Sequence, residues 1–278
     1  MIRVYLWFHS SFDLIFGFDC KSDIIKKNQI NKGADNINES TEIFHIYHSG
    51  VAVKDQGNLL IFDYYKDSPS AQKGLDYGTI SKADIQEAEE VFVFATHSHY
   101  DHYDPKIFDW SEDNAQIHYI LSSDIKPNTE LDYHEINVGE SLKISDFTIK
   151  AYGSTDKGVS FLVENDDLSI FHAGDLNWWH WKKFNQQEQQ REEREFKAEA
   201  NKLKGKEIDI AFIPVDPRLE EYYYLAGQYF AEEINPDFII PIHFRNNYYI
   251  TEDFADKISD LATKTAIIKK GGKVIDYR

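Results

Sequence analysis

The sequence predicts a domain of the α+β class, and three observations carry that reading. Short β-branched and aromatic runs recur from residue 43 onward, and a long Gln-, Glu-, Lys- and Arg-rich stretch without Gly or Pro covers 178–204. The third is that the apolar run 91–95 stops where histidines crowd together. Periodicity of this kind establishes mixed α and β structure and no finer architecture.

In chain order, residues 4–18 are apolar and aromatic but interrupted by His9 and Asp13, with only the amino terminus and Arg3 ahead of them. That makes a poor signal peptide and is too short to span a membrane. Residues 21–41 turn polar and read as a linker. Residues 1–41 are therefore expected to form an N-terminal extension, and 42–278 the functional domain. Strands are expected at 43–47, 51–54, 59–63, 91–95, 117–121, 147–152, 159–164 and 168–171. A helix over 178–204, closed by Gly205, comes next, followed by a strand at 208–213 and a helix at 219–234 before Asn235-Pro236. A strand at 238–242, a helix at 252–262 and a hairpin turning at Gly271-Gly272 complete the order.

Composition narrows the function classes. A chain of 278 residues that is 42% hydrophobic and 15% aromatic can build a sizeable core. The net charge of -18 argues against nucleic acid as a partner, because phosphate binding draws on clustered Lys and Arg. A small-molecule substrate fits better. Cys20 is the only cysteine, which excludes an intrachain disulfide and a Cys-based zinc site and is compatible with a cytoplasmic location. No oligomeric state follows from the sequence.

His97-Ser98-His99-Tyr100-Asp101-His102 is the densest chemical signal. Three of the eleven histidines fall within this segment, on the loop that follows the predicted strand 91–95. His97 and His99 can converge on one ion, and Asp101 and His102 are displaced enough to serve a second. Imidazole nitrogen and carboxylate oxygen suit zinc and its neighbours. The bland alternative is a solvated polar loop.

The pattern His-x-His-x-Asp-His after a strand resembles that of the metallo-β-lactamase superfamily of metal-dependent hydrolases. Further apolar runs end at the positions such a resemblance requires: Asp63 after 59–62, Gly174-Asp175 after 168–173, and His243 after 238–242. The resemblance runs from about residue 43 to the C-terminus. It implies a four-layer αββα sandwich of two mixed β-sheets flanked by helices. It also implies Asp175 as a bridging ligand, His243 as a ligand of the second ion beside Asp101 and His102, and Asp63 as a support for the metal loop. Within the superfamily the chain looks like the branch that includes ascorbate-6-phosphate lactonase-like enzymes, the phospholipase D type acylethanolamine enzymes and related uncharacterised hydrolases.

One element of the pattern is missing. The family usually has a histidine between the cluster and Gly174-Asp175, and here that stretch reads Tyr152-Gly153-Ser154-Thr155-Asp156-Lys157-Gly158. Asp156 is the one strong ligand available as a substitute; it is equally good turn chemistry. His48, in a turn after the first strand, is either a residue supporting the site or a turn residue without a role. His172 lies three residues before Asp175 on a strand, so period two turns it to the other face and gives it a structural reading. Trp178, Trp179 and His180, with Trp181 in the same run, either wall a substrate cleft or anchor the helix that follows.

The reaction implied is metal-dependent hydrolysis of a small-molecule ester, lactone, amide or phosphoester by an activated hydroxide. One or two divalent ions are expected, zinc foremost, with manganese or iron as alternatives. Asp101 would also orient the attacking water or protonate a leaving group. The other class to weigh is a degenerate member that binds metal in a structural or sensing role, which the missing histidine favours.

Overall fold

In the computed structural model of the chain, residues 40–277 are described. The expected N-terminal extension, with Cys20, falls outside them apart from its last two residues.

The first half of the domain is built from β1 (Glu42–Tyr47), β2 (Gly50–Asp55), β3 (Asn58–Phe62), helix α1 (Lys82–Glu87), β4 (Glu90–Ala95), β5 (Ile117–Ser122) and β6 (His134–Ile136). The second half holds β7 (Ser141–Ile144), β8 (Phe147–Gly153), β9 (Val159–Glu164), β10 (Ser169–His172), α2 (Gln186–Ala200) and β11 (Ile210–Pro214). It continues through α3 (Leu225–Tyr229), β12 (Phe238–Ile242), α4 (Tyr249–Lys257), β13 (Lys264–Thr265) and β14 (Gly272–Asp276). Two mixed seven-stranded sheets result, ordered β14-β1-β2-β3-β4-β5-β6 and β13-β12-β11-β10-β9-β8-β7. In the first, β3 to β6 run parallel to one another; in the second, β10 to β13 do.

Both faces of each sheet's centre are covered, and this is why the central strands read as nearly continuous apolar runs. Along β4, Phe92 and Phe94 enter the core between the sheets, whereas Val91, Val93 and Ala95 meet Ile85 of α1 and the 3-10 segment Pro105–Glu112 on the outer face. Phe62 stacks on Phe94 at 4.5 Å between ring centroids, and Phe94 reaches Phe161 of the other sheet at 5.4 Å. Outside the second sheet, Phe171 of β10 meets Phe230 and Phe196 of α2 packs beside it. The arrangement is the expected sandwich of two mixed sheets flanked by helices.

Several elements differ from the sequence expectation. Helix α2 begins at Gln186 rather than 178, because the Asn185 side chain accepts from the Gln187 and Glu188 amides while the Glu188 carboxylate accepts from the Asn185 amide. That capping box fixes the start. The stretch 219–234 is broken into a 3-10 segment, α3 and a π turn, with Glu220 in a left-handed conformation at φ 53. The last helix starts earlier, at Tyr249. Gly271-Gly272 does not turn a hairpin, since β13 pairs with β12 in one sheet and β14 with β1 in the other. It is a crossing between sheets where Gly272 adopts φ 118, and a Cβ there would stand 2.1 Å from the Asp76 carbonyl oxygen. The short strands β6, β7 and β13 and helix α1 were not anticipated; they have too few residues to show a period.

Candidate metal centre

Strand ends of both sheets meet at one edge of the sandwich. Asp63 follows β3 in a left-handed conformation at φ 46, a sparsely populated region for a residue with a side chain. Its wholly buried carboxylate accepts from the Thr96 amide and hydroxyl, both at 2.8 Å, and lies 2.7 Å from His102 Nδ1. With Nδ1–H donating to Asp63, His102 presents Nε2 inward. Burial alone would raise Asp63, yet the neighbouring His102 holds its carboxyl below the usual range.

The histidine loop leaves β4 beside this anchor. His97 Nε2 and His99 Nδ1 are 3.0 Å apart, and His97 Nε2 is 3.6 Å from Asp175 Oδ2. Burial and the neighbouring His102 push His97 down to about 4, which keeps its ring neutral. Asp175 follows β10 through Gly174, whose φ is 54; a Cβ on Gly174 would strike the Thr96 side chain at 2.7 Å. Its other oxygen, Oδ1, lies 3.1 Å from His102 Nε2 and 3.1 Å from His243 Nε2. Burial opposes ionisation of Asp175, but the two flanking imidazoles hold its carboxyl well below the usual range. Burial likewise opposes a charge on His102, and the carboxylates of Asp175 and Asp63 override it, raising the imidazole well above its ordinary value.

His243 ends β12 at φ 68, and its amide donates to the His48 carbonyl at 3.0 Å. Its Nδ1 is 3.1 Å from Asp216 Oδ2. Asp216 was not singled out in the sequence. It follows β11, its carboxylate is forked by Arg218, and that guanidinium together with His243 outweighs burial and brings it down to about 2. The signal was present, because Val215-Asp216-Pro217 places a carboxylate just past a strand, as Asp63 is placed.

Two groups of three emerge among the described residues, each with its ligand atoms all within 4.8 Å of one another: His97, His99 and Asp175, and His48, His102 and His243. Asp175 touches both through its two oxygens. The second group contains His48 rather than Asp101. His48 occupies the β1–β2 turn at φ 60, with its ring centroid 4.0 Å from that of His243. Burial, then His243, push it down to about 3. The Asp101 carboxylate lies 3.5 Å from His48 Nε2 and 3.3 Å from Arg245 Nη2. Asp156 has an oxygen 3.6 Å from His99 Nδ1 on the half-exposed side of the first group. Its loop is pressed against the histidine strand, for Val159 N donates to Thr96 O at 2.9 Å, and a Cβ on Gly158 would lie 2.0 Å from that same oxygen. His172 stays outside both groups, bonded to the Ser49 carbonyl and the Gly174 amide.

These residues suit a metal. His102 Nε2 and Asp175 Oδ1, though 3.1 Å apart, are buried without a partner in hydrogen-bonding geometry, and so are both ring nitrogens of His48. Such atoms are costly unless something else satisfies them. Imidazole nitrogens oriented by carboxylates on their far side are the usual donor set for zinc-like ions.

Above the groups opens a cleft of about 460 Å³, lined by Asp101, Asp156, Asp175, His99, His243, Trp179, Trp181, Arg218 and Arg245 among others. Of the aromatic segment, Trp179 lines the cleft. Trp178 instead stacks on Phe196 of α2, and His180 rests on Tyr222. Trp181, from the same run, lines the cleft too, whereas Arg218 and Arg245 are cleft residues that the sequence reading passed over.

A sandwich of two mixed sheets with flanking helices and a His/Asp cluster at the strand ends defines the metallo-β-lactamase fold, and this chain has it. The chain is similar to Igni18, a metallo hydrolase of the archaeon Ignicoccus hospitalis, at TM-score 0.58 and 14% identity over 84% of this chain and 97% of the other. It is similar to YhfI, a metallo-β-lactamase fold protein of Bacillus subtilis, at TM-score 0.54 and 10% identity over 84% and 99% of the two chains. CmlA, a diiron β-hydroxylase of Streptomyces venezuelae, matches at TM-score 0.54 and 12% identity, over 84% of this chain and 54% of that one. No protein-family model matches the chain, and no curated protein matches it in sequence. Among the described residues, no helix is long and apolar enough to cross a membrane.

Proposed function

We propose that the protein is a metal-dependent hydrolase acting on an ester, lactone, amide or phosphoester bond of a small molecule. The observation that carries this reading is Asp175, whose two oxygens face two separate groups of ligand atoms at the floor of an open cleft. His97 and His99, with Asp156 alongside, would hold one ion; His102 and His243 would hold the other, with Asp101 and His48 at its edge; Asp175 would bridge. Zinc suits this nitrogen and carboxylate set, and iron or manganese suits it too. Bound ions would supply Lewis acidity and bring a water's pKa from about 15.7 towards 7.

The chain's own residues do the rest. Asp63 and Asp216 fix the tautomers of His102 and His243, so that Nε2 of each points inward. Burial raises Asp101, but its contact with His48 prevails and keeps the carboxylate ionised at neutral pH. Its Oδ2 is thus available to take a proton from the attacking water and return it to the leaving group. Trp179 and Trp181 wall the cleft and exclude solvent from one side of the reacting bond.

Metal analysis of the purified protein, with turnover measured on lactones, esters and phosphodiesters, tests the proposal. Metal bound in stoichiometric amount, turnover of at least one member and loss of it in Asp101→Asn are the expected results. Stoichiometric metal with no turnover on the whole panel would instead support a non-catalytic metal-binding role, which the missing histidine at 153–158 favours.

A further inference from the structure

Two arginines face the cleft, and neither is used up by the groups around it. Arg245 stands two residues beyond His243 with a left-handed backbone at φ 53, a conformation uncommon for a residue with a side chain. Its side chain is 44% exposed, and its polar contacts are long and single, 3.3 Å to Asp101 Oδ2 and 3.4 Å to the Tyr100 hydroxyl. No carboxylate forks it. Arg218 does fork Asp216, but through Nε and Nη2 only, and its guanidinium lies 5.7 Å from the Trp181 ring. Both guanidinium groups line the same cleft. Asp216 leaves Nη1 of Arg218 over, and Asp101 leaves Nε and Nη1 of Arg245, as donors for an anion entering the cleft.

The rest of the wall fits the same ligand. Trp179 and Trp181 stack on one another, 5.9 Å between centroids and 4° between planes, and both line the cleft beside the arginines. Among the acids of the cleft, Glu192 is already paired with Arg191 at 2.8 Å. Asp175 belongs to the ligand groups, Asp156 stands 3.6 Å from His99, and Asp101 lies between His48 and Arg245.

We propose that the cleft binds an organic oxyanion: a carboxylate or phosphate engaged by Arg245 and the open edge of Arg218, on a body that lies against Trp179 and Trp181. The inference rests on the hydrolase reading for the position of the scissile bond, which would sit between this anion and Asp175. Guanidinium groups recognise planar and tetrahedral oxyanions through paired N–H donors, and aromatic faces take up the apolar remainder.

The test is direct binding, so it does not depend on turnover. Phenylacetate, phenylphosphonate and the neutral phenylacetamide are titrated into the metal-loaded full-length protein by calorimetry, for wild type, Arg245→Ala and Arg245→Lys at matched metal content. At least one anion is expected to bind wild type tenfold or more tightly than phenylacetamide, with the stronger of the two telling carboxylate from phosphate recognition. Arg245→Ala is expected to remove most of that preference without altering phenylacetamide binding, and Arg245→Lys to restore part of it. An undiminished preference in Arg245→Ala would mean that the ions alone hold the anion and would overturn the proposal, as would a wild type that does not discriminate. Anion preference in a protein that hydrolyses nothing would defeat the hydrolase reading and leave this one standing; turnover without anion preference would do the reverse.

Discussion

Replacing Asp63 by Asn is expected to disarm the second ion position from behind. The carboxylate serves three partners at once: the Thr96 amide and hydroxyl at 2.8 Å each and His102 Nδ1 at 2.7 Å. An amide has one acceptor oxygen. If that oxygen stays on the Thr96 amide, the new NH2 points at the hydroxyl and at Nδ1. Thr96 can rotate its hydroxyl and accept. His102 can accept only by moving its proton to Nε2, which removes the lone pair that should face the ion. A hydrogen bond to a charged group contributes about 1.5–3 kcal/mol, which is roughly a tenfold to 150-fold change in an equilibrium constant. Losses of about 10–100-fold in affinity are usual when a residue orienting a metal ligand is changed. Competition for zinc against a chromophoric chelator, with circular dichroism to confirm folding, measures the effect. A folded Asp63→Asn protein that binds two ions with wild-type affinity would refute the idea that Asp63 sets the tautomer of His102.

Three further outcomes follow from the same geometry. Asp175→Asn is expected to weaken both positions and to cut turnover about 100-fold or more, checked by metal content and rate together; loss at one position only would rule out bridging. Asp156→Ala is expected to lower the stoichiometry at limiting metal from two ions towards one, measured by equilibrium dialysis, and no change would assign Asp156 to the turn alone. In the metal-free protein His102 is raised well above 6.5, so its stabilising contribution is complete below that value and is lost as pH rises through the folded-state pKa. Ion binding must displace this proton, so affinity is expected to climb with pH. Calorimetry in buffers of different ionisation heat would show the release, and a pH-independent affinity would contradict it.

Elements whose signal lies in a few consecutive residues were legible in the sequence. Val91 to Ala95 followed by His97 is such a case, and so are Gly174-Asp175 and the run into His243, each an apolar strand ending on a polar group. What was not legible depends on pairing between distant segments. Asp216 is 27 residues from His243 and reaches it because β11 and β12 run parallel in register, with the Val215 amide donating to the Ile242 carbonyl. Arg218 and Arg245 come together through the same pairing. His48 is a partial instance: the sequence left it between a support for the site and a turn residue without a role, and the bond between its carbonyl and the His243 amide brings the two rings together. The break in 219–234 has a local cause that composition hides, since Glu220 is an ordinary helix residue forced into a left-handed conformation.

The centre straddles the sandwich. His48, Asp63, His97 and His102 project from the ends of one sheet, and Asp175, Asp216 and His243 from the ends of the other. An ion gripped by both acts as a clasp across the hydrophobic seam, so the two sheets cannot part without releasing it. Free metal at about a hundred times its dissociation constant would add about 2.7 kcal/mol to folding stability. On the proposed reading, the melting temperature of this protein would double as a gauge of occupancy, and starvation for metal would threaten the fold as well as the chemistry.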